Sequence, residues 1–322
     1  MFKRYLLLVM LCLTIFSLVP LTTSAATPPT AVGKLGAIEE ELYGTEQAGA
    51  LIERVSRLEF DLYSESHSQP ILERIDQMYV DVKGNEETHA PTFVSRLNAV
   101  EWMFTKAITK RPSKTRLEEL EKMIAGDVSV GGLMGRLNAL LAMVYTQGDI
   151  AVEHTTLPKD SLIKVSLLQE VNGKLAREGD IIQFRAEENI FVGNLLIVPK
   201  GATGEATIVK IKHASNFGRD GRVDMDFKAL LTIDGTIVPL YLGELAKKAT
   251  ESQIAAAGAS AAGMLVFGPV GAIGGLFVHG KEAIIPAGTV FYTQVKEDVA
   301  LNGLVRKNQT ADSLDKFIEQ NK

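Results

Sequence analysis

The segment from Gly275 to Lys281 has the residue order of a phosphate-binding loop, Gly-Leu-Phe-Val-His-Gly-Lys. Such a loop cradles phosphates with backbone amides, and it requires Ser or Thr after the lysine to hold Mg²⁺. Glu282 stands at that position, and its carboxylate would repel a phosphate. The sequence therefore predicts no nucleotide site here.

Histidines and neighbouring carboxylates are the remaining candidates for metal or acid–base chemistry. No two histidines stand at a spacing typical of metal ligands. The histidines are His67, His89, His154, His213 and His279. Glu187 and Glu188 lie in an alternating stretch, so in a strand their carboxylates point to opposite faces. No Gly-x-Ser-x-Gly motif is present. We therefore predict a non-enzymatic protein that uses no metal and no cofactor.

A basic residue recurs at the fourth position of six repeats of about 20 residues. These residues form what we name the basic column: Lys34, Arg54, Arg74, Arg96, Arg116 and Arg136. One interpretation is a solvated helix edge on which Arg54 pairs with Glu59 and Arg116 with Glu121. The other is a binding site for an anionic polymer or partner. Residues 31–146 hold 18 acids against 13 bases, which favours the first interpretation.

The repeats that carry the basic column are predicted to be helices. They start near residues 31, 51, 71, 93, 113 and 133. Their fifth, eighth and twelfth positions are apolar, and steps of three and four place these side chains on one helical face. Each repeat is therefore expected to form a helix of about 14 residues followed by a turn. Because so short a helix is marginal alone in water, the apolar faces must pack against each other or a partner.

The C-terminal half changes to a period of two, which is typical of strands. The predicted strands are 161–168, 181–186, 204–213, 222–232, 236–242 and 289–295. Three turns of similar sequence begin at Leu157, Val198 and Ile285, and we expect their prolines at the second turn position. These features indicate a small barrel or sandwich.

A segment from Ile254 to Val278 contains 25 residues with no Asp, Glu, Lys or Arg. Gly268-Pro269 lies in its middle and predicts a helical hairpin with two short arms. Small residues on the arms would let helices approach closely, and we select four as candidate packing or membrane-contact residues. They are Gly258, Gly263, Gly271 and Gly275. The hairpin either packs on its own domain, or enters a membrane or self-associates.

Residues 1–25 have the pattern of a cleavable secretory signal. Lys3 and Arg4 precede an apolar stretch, and small residues follow near Ala25. The chain's single cysteine, Cys12, lies inside this leader, so the mature chain would form no disulfides. We therefore expect export to the periplasm, or association with the outer membrane, in a diderm bacterium.

Composition agrees with a folded protein. With 46% hydrophobic residues, 23% charged residues and a mean hydropathy of +0.10, the chain is neither disordered nor a polytopic membrane protein. A formal net charge of −5 gives no support to nucleic-acid binding.

The predicted organisation is an α+β fold in five parts. The signal peptide, 1–25, precedes a helical repeat domain, 31–146, and a linker, 147–156. A β-barrel domain with the inserted apolar hairpin covers 157–301, and a polar tail covers 302–322.

Parts of each half resemble known proteins. The stretches Leu157–Val171 (LPKDSLIKVSLLQEV) and Gly179–Ala206, followed by an apolar hairpin, are similar to the TrbI/VirB10-type envelope barrel of secretion channels. That resemblance implies a periplasmic barrel, ring-like oligomers and a hairpin that contacts the outer membrane. The helical half resembles short helical repeats of exported bacterial proteins of unknown role.

These observations predict a structural or assembly protein of the cell envelope. The repeats would contact an envelope protein or a wall polymer, and the hairpin would contact a membrane or form a homo-oligomer. The alternative is a periplasmic binding module for a small ligand or a glycan.

Overall fold

The computed structural model describes residues 30–85, 89–145, 148–215, 219–256 and 282–305. From Ala31 onward the chain forms one compact unit. Within the described ranges it contains six short helices, a series of strands and one later helix. The α+β fold class is confirmed.

The N-terminal half is a helical array, and each helix starts at the residue that the repeat predicts. The helices are α1 (Ala31–Tyr43), α2 (Leu51–Tyr63), α3 (Ile71–Lys83), α4 (Phe93–Thr105), α5 (Ser113–Ala125) and α6 (Leu133–Val144). The apolar positions of the repeat form the core of the array; in α1, for example, Leu35, Ile38 and Leu42 are fully buried. Burial of these faces supplies the stability that such short helices lack alone.

The six helices divide into two triplets. Helices α1, α2 and α3 contact one another, as do α4, α5 and α6. Successive repeats start 20 residues apart within each triplet, whereas 22 residues separate the starts of α3 and α4. The longer step in the sequence therefore marks the boundary between the two triplets.

The two triplets stack end to end. A methyl carbon placed on Gly44, just after α1, would lie 2.8 Å from Pro112, just before α5. One placed on Gly132, just before α6, would lie 2.6 Å from the backbone of Tyr63 at the end of α2. The end of α3 likewise meets the start of α4. The first triplet therefore directs its C-terminal helix ends at the second triplet, and its N-terminal helix ends lie at the opposite end of the array.

The C-terminal half is built from strands. They are β1 (Val152–Leu157), β2 (Leu162–Leu167), β3 (Val171–Asn172), β4 (Ile181–Ala186), β5 (Ile190–Val192), β6 (Leu195–Val198), β7 (Thr203–Lys212), β8 (Arg222–Leu231), β9 (Ile237–Tyr241), β10 (Ile284–Ile285), β11 (Val290–Val295) and β12 (Val299–Val305). A closed barrel has the order β11-β2-β4-β7-β8-β9, and a second sheet has the order β1-β12-β6-β5. Strands β3 and β10 form a separate ribbon.

The closed barrel contains the six strands that the alternating pattern predicts. In β4 exposed and buried residues alternate along the whole strand, so its apolar side chains face the barrel interior. Phe227 lies in that interior between Phe184 and Phe291, with ring centroids 5.2 and 5.6 Å away. The barrel alternative is confirmed over the sandwich.

The three proline-containing turns share one geometry, but the expected place of the proline is wrong. In the first turn the Ser161 amide donates to the Pro158 carbonyl at 3.3 Å, so proline occupies the first turn position. The third position has a positive φ in all three turns, 64° at Asp160, 88° at Gly201 and 81° at Gly288. Glycine and aspartate tolerate this left-handed conformation better than most residues.

Helix α7 (Glu244–Ala256) was not predicted from the sequence, and it packs along β11. The Ala246 amide donates to the Gln294 side chain at 3.1 Å, and the Tyr292 amide donates to the Thr250 hydroxyl at 2.9 Å. Since later helix residues contact earlier strand residues, α7 runs antiparallel to β11. The predicted hairpin falls mostly in residues 257–281, outside the described residues.

Two predicted domain boundaries fall inside secondary structure. Most of β1 lies in the predicted linker 147–156, and β12 extends to Val305, past the predicted start of the tail. Val152 and Leu304, which face each other across β1 and β12, pack against the core of the helical array. The five-part organisation stays a prediction.

Candidate functional site

Four buried ion pairs connect successive helices of the array, and we name them the rungs. In each rung a Glu at the ninth position of one repeat binds an Arg 15 residues later, at the fourth position of the next repeat. The rungs are Glu39–Arg54, Glu59–Arg74, Glu101–Arg116 and Glu121–Arg136. Each triplet holds two rungs, because the ninth position of α3 is Tyr79 and that of α6 is Leu141.

The rungs have the geometry of strong pairs. In Glu121–Arg136, Nε donates to one carboxylate oxygen at 3.0 Å and Nη2 to the other at 2.6 Å. In Glu101–Arg116 the two side chains are only 5% and 2% exposed. Arg116 also donates to the Asn98 side-chain oxygen at 2.5 Å. Removal of one partner from such a pair leaves a buried charge, which typically costs about 3–5 kcal/mol.

The rung carboxylates also organise the loops between helices. Glu39 accepts a hydrogen bond from the Gln47 amide at 2.9 Å, and Glu101 accepts one from the Thr109 amide at 3.2 Å. In both cases the amide lies eight residues after the glutamate. A single carboxylate therefore joins its own helix, the following loop and the next helix.

The pairing shifts the pKa of Glu59 and of three rung arginines. Burial of Glu59 opposes its ionisation, but hydrogen bonds from Arg74 and the His67 amide outweigh that effect. They hold the pKa of Glu59 below its usual value. The hydrogen bond to its glutamate raises the pKa of Arg74, as it does for Arg54 and Arg136. The Glu59–Arg74 rung is therefore ionised on both sides near neutral pH.

The predicted partners of the basic column are wrong. Arg54 pairs with Glu39 rather than Glu59, and Arg116 pairs with Glu101 rather than Glu121, in each case in the preceding helix. A rung to the preceding repeat lets both side chains lie in a helix interface, whereas a pair within one helix would lie at its surface. The binding role of the column stays a prediction.

The two members of the column that begin each triplet have other partners. Lys34 pairs with Asp76 at 2.8 Å, and Arg96 pairs with Asp149 at 2.7 Å. Neither has a rung glutamate, because no helix of the same triplet precedes α1 or α4. The other candidate residues, Gly258, Gly263, Gly271 and Gly275, lie outside the described residues.

The rung glutamates link successive helices, and the sequence pattern was not used to predict them. The repeat has Glu at its ninth position in α1, α2, α4 and α5 only. That periodic acid, together with its absence from every third repeat, was the available signal for both the rungs and the triplets.

Helix α4 joins the array to the barrel. The Asn98 side chain donates to the Ile233 carbonyl at 3.1 Å, and the Trp102 indole donates to the Lys200 carbonyl at 3.2 Å. After α4, Ile108 forms a parallel bridge to Ala202 at the edge of β7. Because α4 is apolar or tightly bonded on most of its surface, it is the most buried helix of the array.

A cleft of about 280 Å³ lies beside this junction. One wall is the loop from Thr109 to Arg111, and the other is the outer face of barrel strands, including Gln183 and Glu205. Arg111 is engaged by Glu119 at 2.7 Å. The cleft brings hydroxyl, amide and charged groups together with apolar side chains such as Leu231.

Within the described ranges no helix combines the length and the apolarity needed to cross a bilayer. In the same ranges no three His, Cys, Asp or Glu side chains stand close enough to hold a metal ion.

The comparisons with known proteins identify no family. No protein-family model matches the chain, and no curated protein matches it. Among solved structures, ComB10 of the Com type IV secretion system of Helicobacter pylori is similar at 20% identity with a TM-score of 0.21. The match covers 30% of this chain and spans half the length of that ComB10 chain.

Proposed function

We propose that this protein is an exported, non-enzymatic structural or assembly protein of the cell envelope. The helical array would bind a partner protein, and the segment 254–278 would contact the outer membrane or a second copy. The proposal includes the predicted leader and placement in the periplasm or at the outer membrane.

One observation carries the proposal: a 25-residue stretch without Asp, Glu, Lys or Arg begins in the last turn of α7 and precedes β10. The Ala246 amide of α7 donates to the Gln294 side chain of β11, and the Tyr292 amide of β11 donates to the Thr250 hydroxyl of α7. Strand β10 is paired with β3. An uncharged segment of this length, anchored on both sides by ordered elements, is suited to a membrane or a protein interface.

Cell fractionation tests this proposal. The full chain would be expressed in a diderm bacterium beside a variant in which 254–278 is replaced by a short Gly/Ser linker. We expect the full chain to sediment with the outer membrane and the variant to remain folded but to leave that fraction. If both proteins stay in the soluble fraction as monomers, the proposal is wrong.

The cleft beside Arg111 favours a second candidate function, a binding module for a small ligand or a glycan. Its mixed polar and apolar lining supports this alternative. Thermal-shift screening with envelope sugars and peptides would test it. A ligand whose stabilisation disappears in a Gln183→Ala, Glu205→Ala variant would favour the binding module, and the absence of any such ligand would reject it.

A further inference from the structure

The free end of the first triplet exposes an apolar residue at the start of each helix. Val32, Ile52 and Leu72 all occupy the second position of their repeats, and they are 54%, 51% and 56% exposed. Because the opposite ends of these helices abut the second triplet, the three starts lie together at the far end of the array. We name this surface the distal end.

In the second triplet, the same repeat position of α4 is covered by another part of the chain. Val94 is the equivalent residue of α4 and is only 3% exposed. It packs on the turn of the β8–β9 hairpin, where a methyl carbon placed on Gly235 would lie 2.4 Å from its Cγ1 atom. This repeat position therefore docks on the barrel in α4 and is uncovered in all three helices of the first triplet.

The charge of the first triplet specifies the partner. Residues 31–92 contain 13 acids and 5 bases, a net charge of −8, whereas residues 93–146 contain 5 acids and 8 bases, a net charge of +3. At the distal end, Glu53 and Glu73 directly follow the exposed Ile52 and Leu72. These acids lie in the first turns of α2 and α3, where their charge disfavours an anionic ligand at the helix starts.

We propose that the distal end binds a basic amphipathic segment of a partner protein, with apolar side chains on Val32, Ile52 and Leu72 and cations beside Glu53 and Glu73. Apolar contact supplies affinity, and charge complementarity speeds association and selects against anionic partners. This inference deepens the partner role proposed above for the array and does not require membrane contact through 254–278. An anionic wall polymer would be repelled by the same surface.

A binding experiment with a synthetic probe tests the inference. The probe is a peptide of Lys and Leu, with Leu at every third or fourth position, measured by fluorescence anisotropy against the full chain. A Glu/Leu peptide of the same pattern and a scrambled Lys/Leu peptide serve as comparisons. The apolar variant is Val32→Ser, Ile52→Ser, Leu72→Ser, and the charge variant is Glu53→Gln, Glu73→Gln.

Matched control variants change the barrel surface. Leu175→Ser, Ile181→Ser, Val209→Ser removes three exposed apolar side chains, and Glu170→Gln, Glu297→Gln removes two exposed carboxylates. We expect the apolar and charge variants each to weaken Lys/Leu binding about tenfold. The control variants should change it by less than about twofold. Circular dichroism confirms that every variant is folded.

Three results would overturn the inference. The first is failure of the full chain to bind the Lys/Leu peptide, or equal binding of the Glu/Leu or scrambled peptide. The second is equal weakening by the control variants. The third is self-association of the full chain that the apolar variant abolishes, which would assign the distal end to a second copy. Membrane fractionation is independent of all three, so failure of this inference is distinguishable from failure of the proposed function.

Discussion

The two triplets of the array are held together internally in the same way, but their surfaces differ. Both are held by two rungs between successive helices, and both have the 20-residue spacing. The second triplet presents α4 to the barrel and carries a net positive charge, whereas the first is strongly acidic and exposes apolar helix starts. The repeat thus fixes packing inside each triplet, and the remaining positions decide what each triplet contacts.

The largest expected effect is the loss of stability when the arginine of a rung is removed, and it should be larger for the more buried rung. Arg116→Ala should lower the free energy of unfolding by about 3–5 kcal/mol, because it leaves Glu101 buried and unpaired and also removes a bond to Asn98. Arg54→Ala should cost less, since the Arg54 side chain is more exposed. Urea unfolding followed by circular dichroism measures both. Equal losses would show that the triplets do not differ in this respect.

A glycine substitution tests the array–barrel junction that α4 and the residues after it make. Gly201 has a φ of 88°, and a methyl carbon there would lie 2.1 Å from the Lys106 carbonyl oxygen. Gly201→Ala should therefore cost about 3 kcal/mol or more in unfolding free energy. Gly193→Ala is the matched control, because its φ is 60° and nothing lies within 4 Å. If the two variants unfold at the same urea concentration, the junction is looser than described.

Acid should weaken the first triplet through the Glu59–Arg74 rung. The pKa of Glu59 is lowered in the folded chain, since Arg74 and the His67 amide outweigh burial. A lowered folded pKa gives stability that is present above the unfolded value of 4.5 and is lost as the pH falls through the folded value. Glu59→Gln should flatten this part of the profile of unfolding free energy against pH. An unchanged profile would contradict the pairing.

The smallest expected effect comes from an exposed pair in the second triplet. Arg111 and Glu119 form a bidentate pair with both side chains about half exposed. Arg111→Ala should change the free energy of unfolding by less than about 1 kcal/mol, because water screens the pair. The same urea titration compares it with Arg116→Ala. A loss as large as that of the rung would mean that burial does not control these pairs.

Much of the fold can be predicted from the spacing of apolar residues alone, as the helix starts and the barrel strands show. Apolar residues recur at every second position over part of each barrel strand, and in β4 buried and exposed residues alternate along the whole strand, because one face lies in the barrel interior. The other strands gave no such signal. Strand β6 is buried throughout, β5 has three residues, and β3 and β10 have two each. Helix α7 was not predicted from the sequence either, and the structure shows it packed against β11.

The site was predicted less well, and the rungs show why. The arginines were recognised, but a periodic Arg at one position and a periodic Glu at another allow two pairings in sequence. Arg116 stands five residues before Glu121 and 15 after Glu101. Only the packing of α4 against α5 selects the second pairing, because both side chains then share a buried interface.

A double-mutant cycle around Arg116 tests the central claim that rungs join successive helices. Free energies of unfolding would be measured for Arg116→Ala, Glu101→Gln, Glu121→Gln and the two double variants that contain Arg116→Ala. We expect a coupling energy of about 1–3 kcal/mol between Arg116 and Glu101, and near-additive effects for Arg116 with Glu121. Strong coupling to Glu121, with none to Glu101, would contradict it.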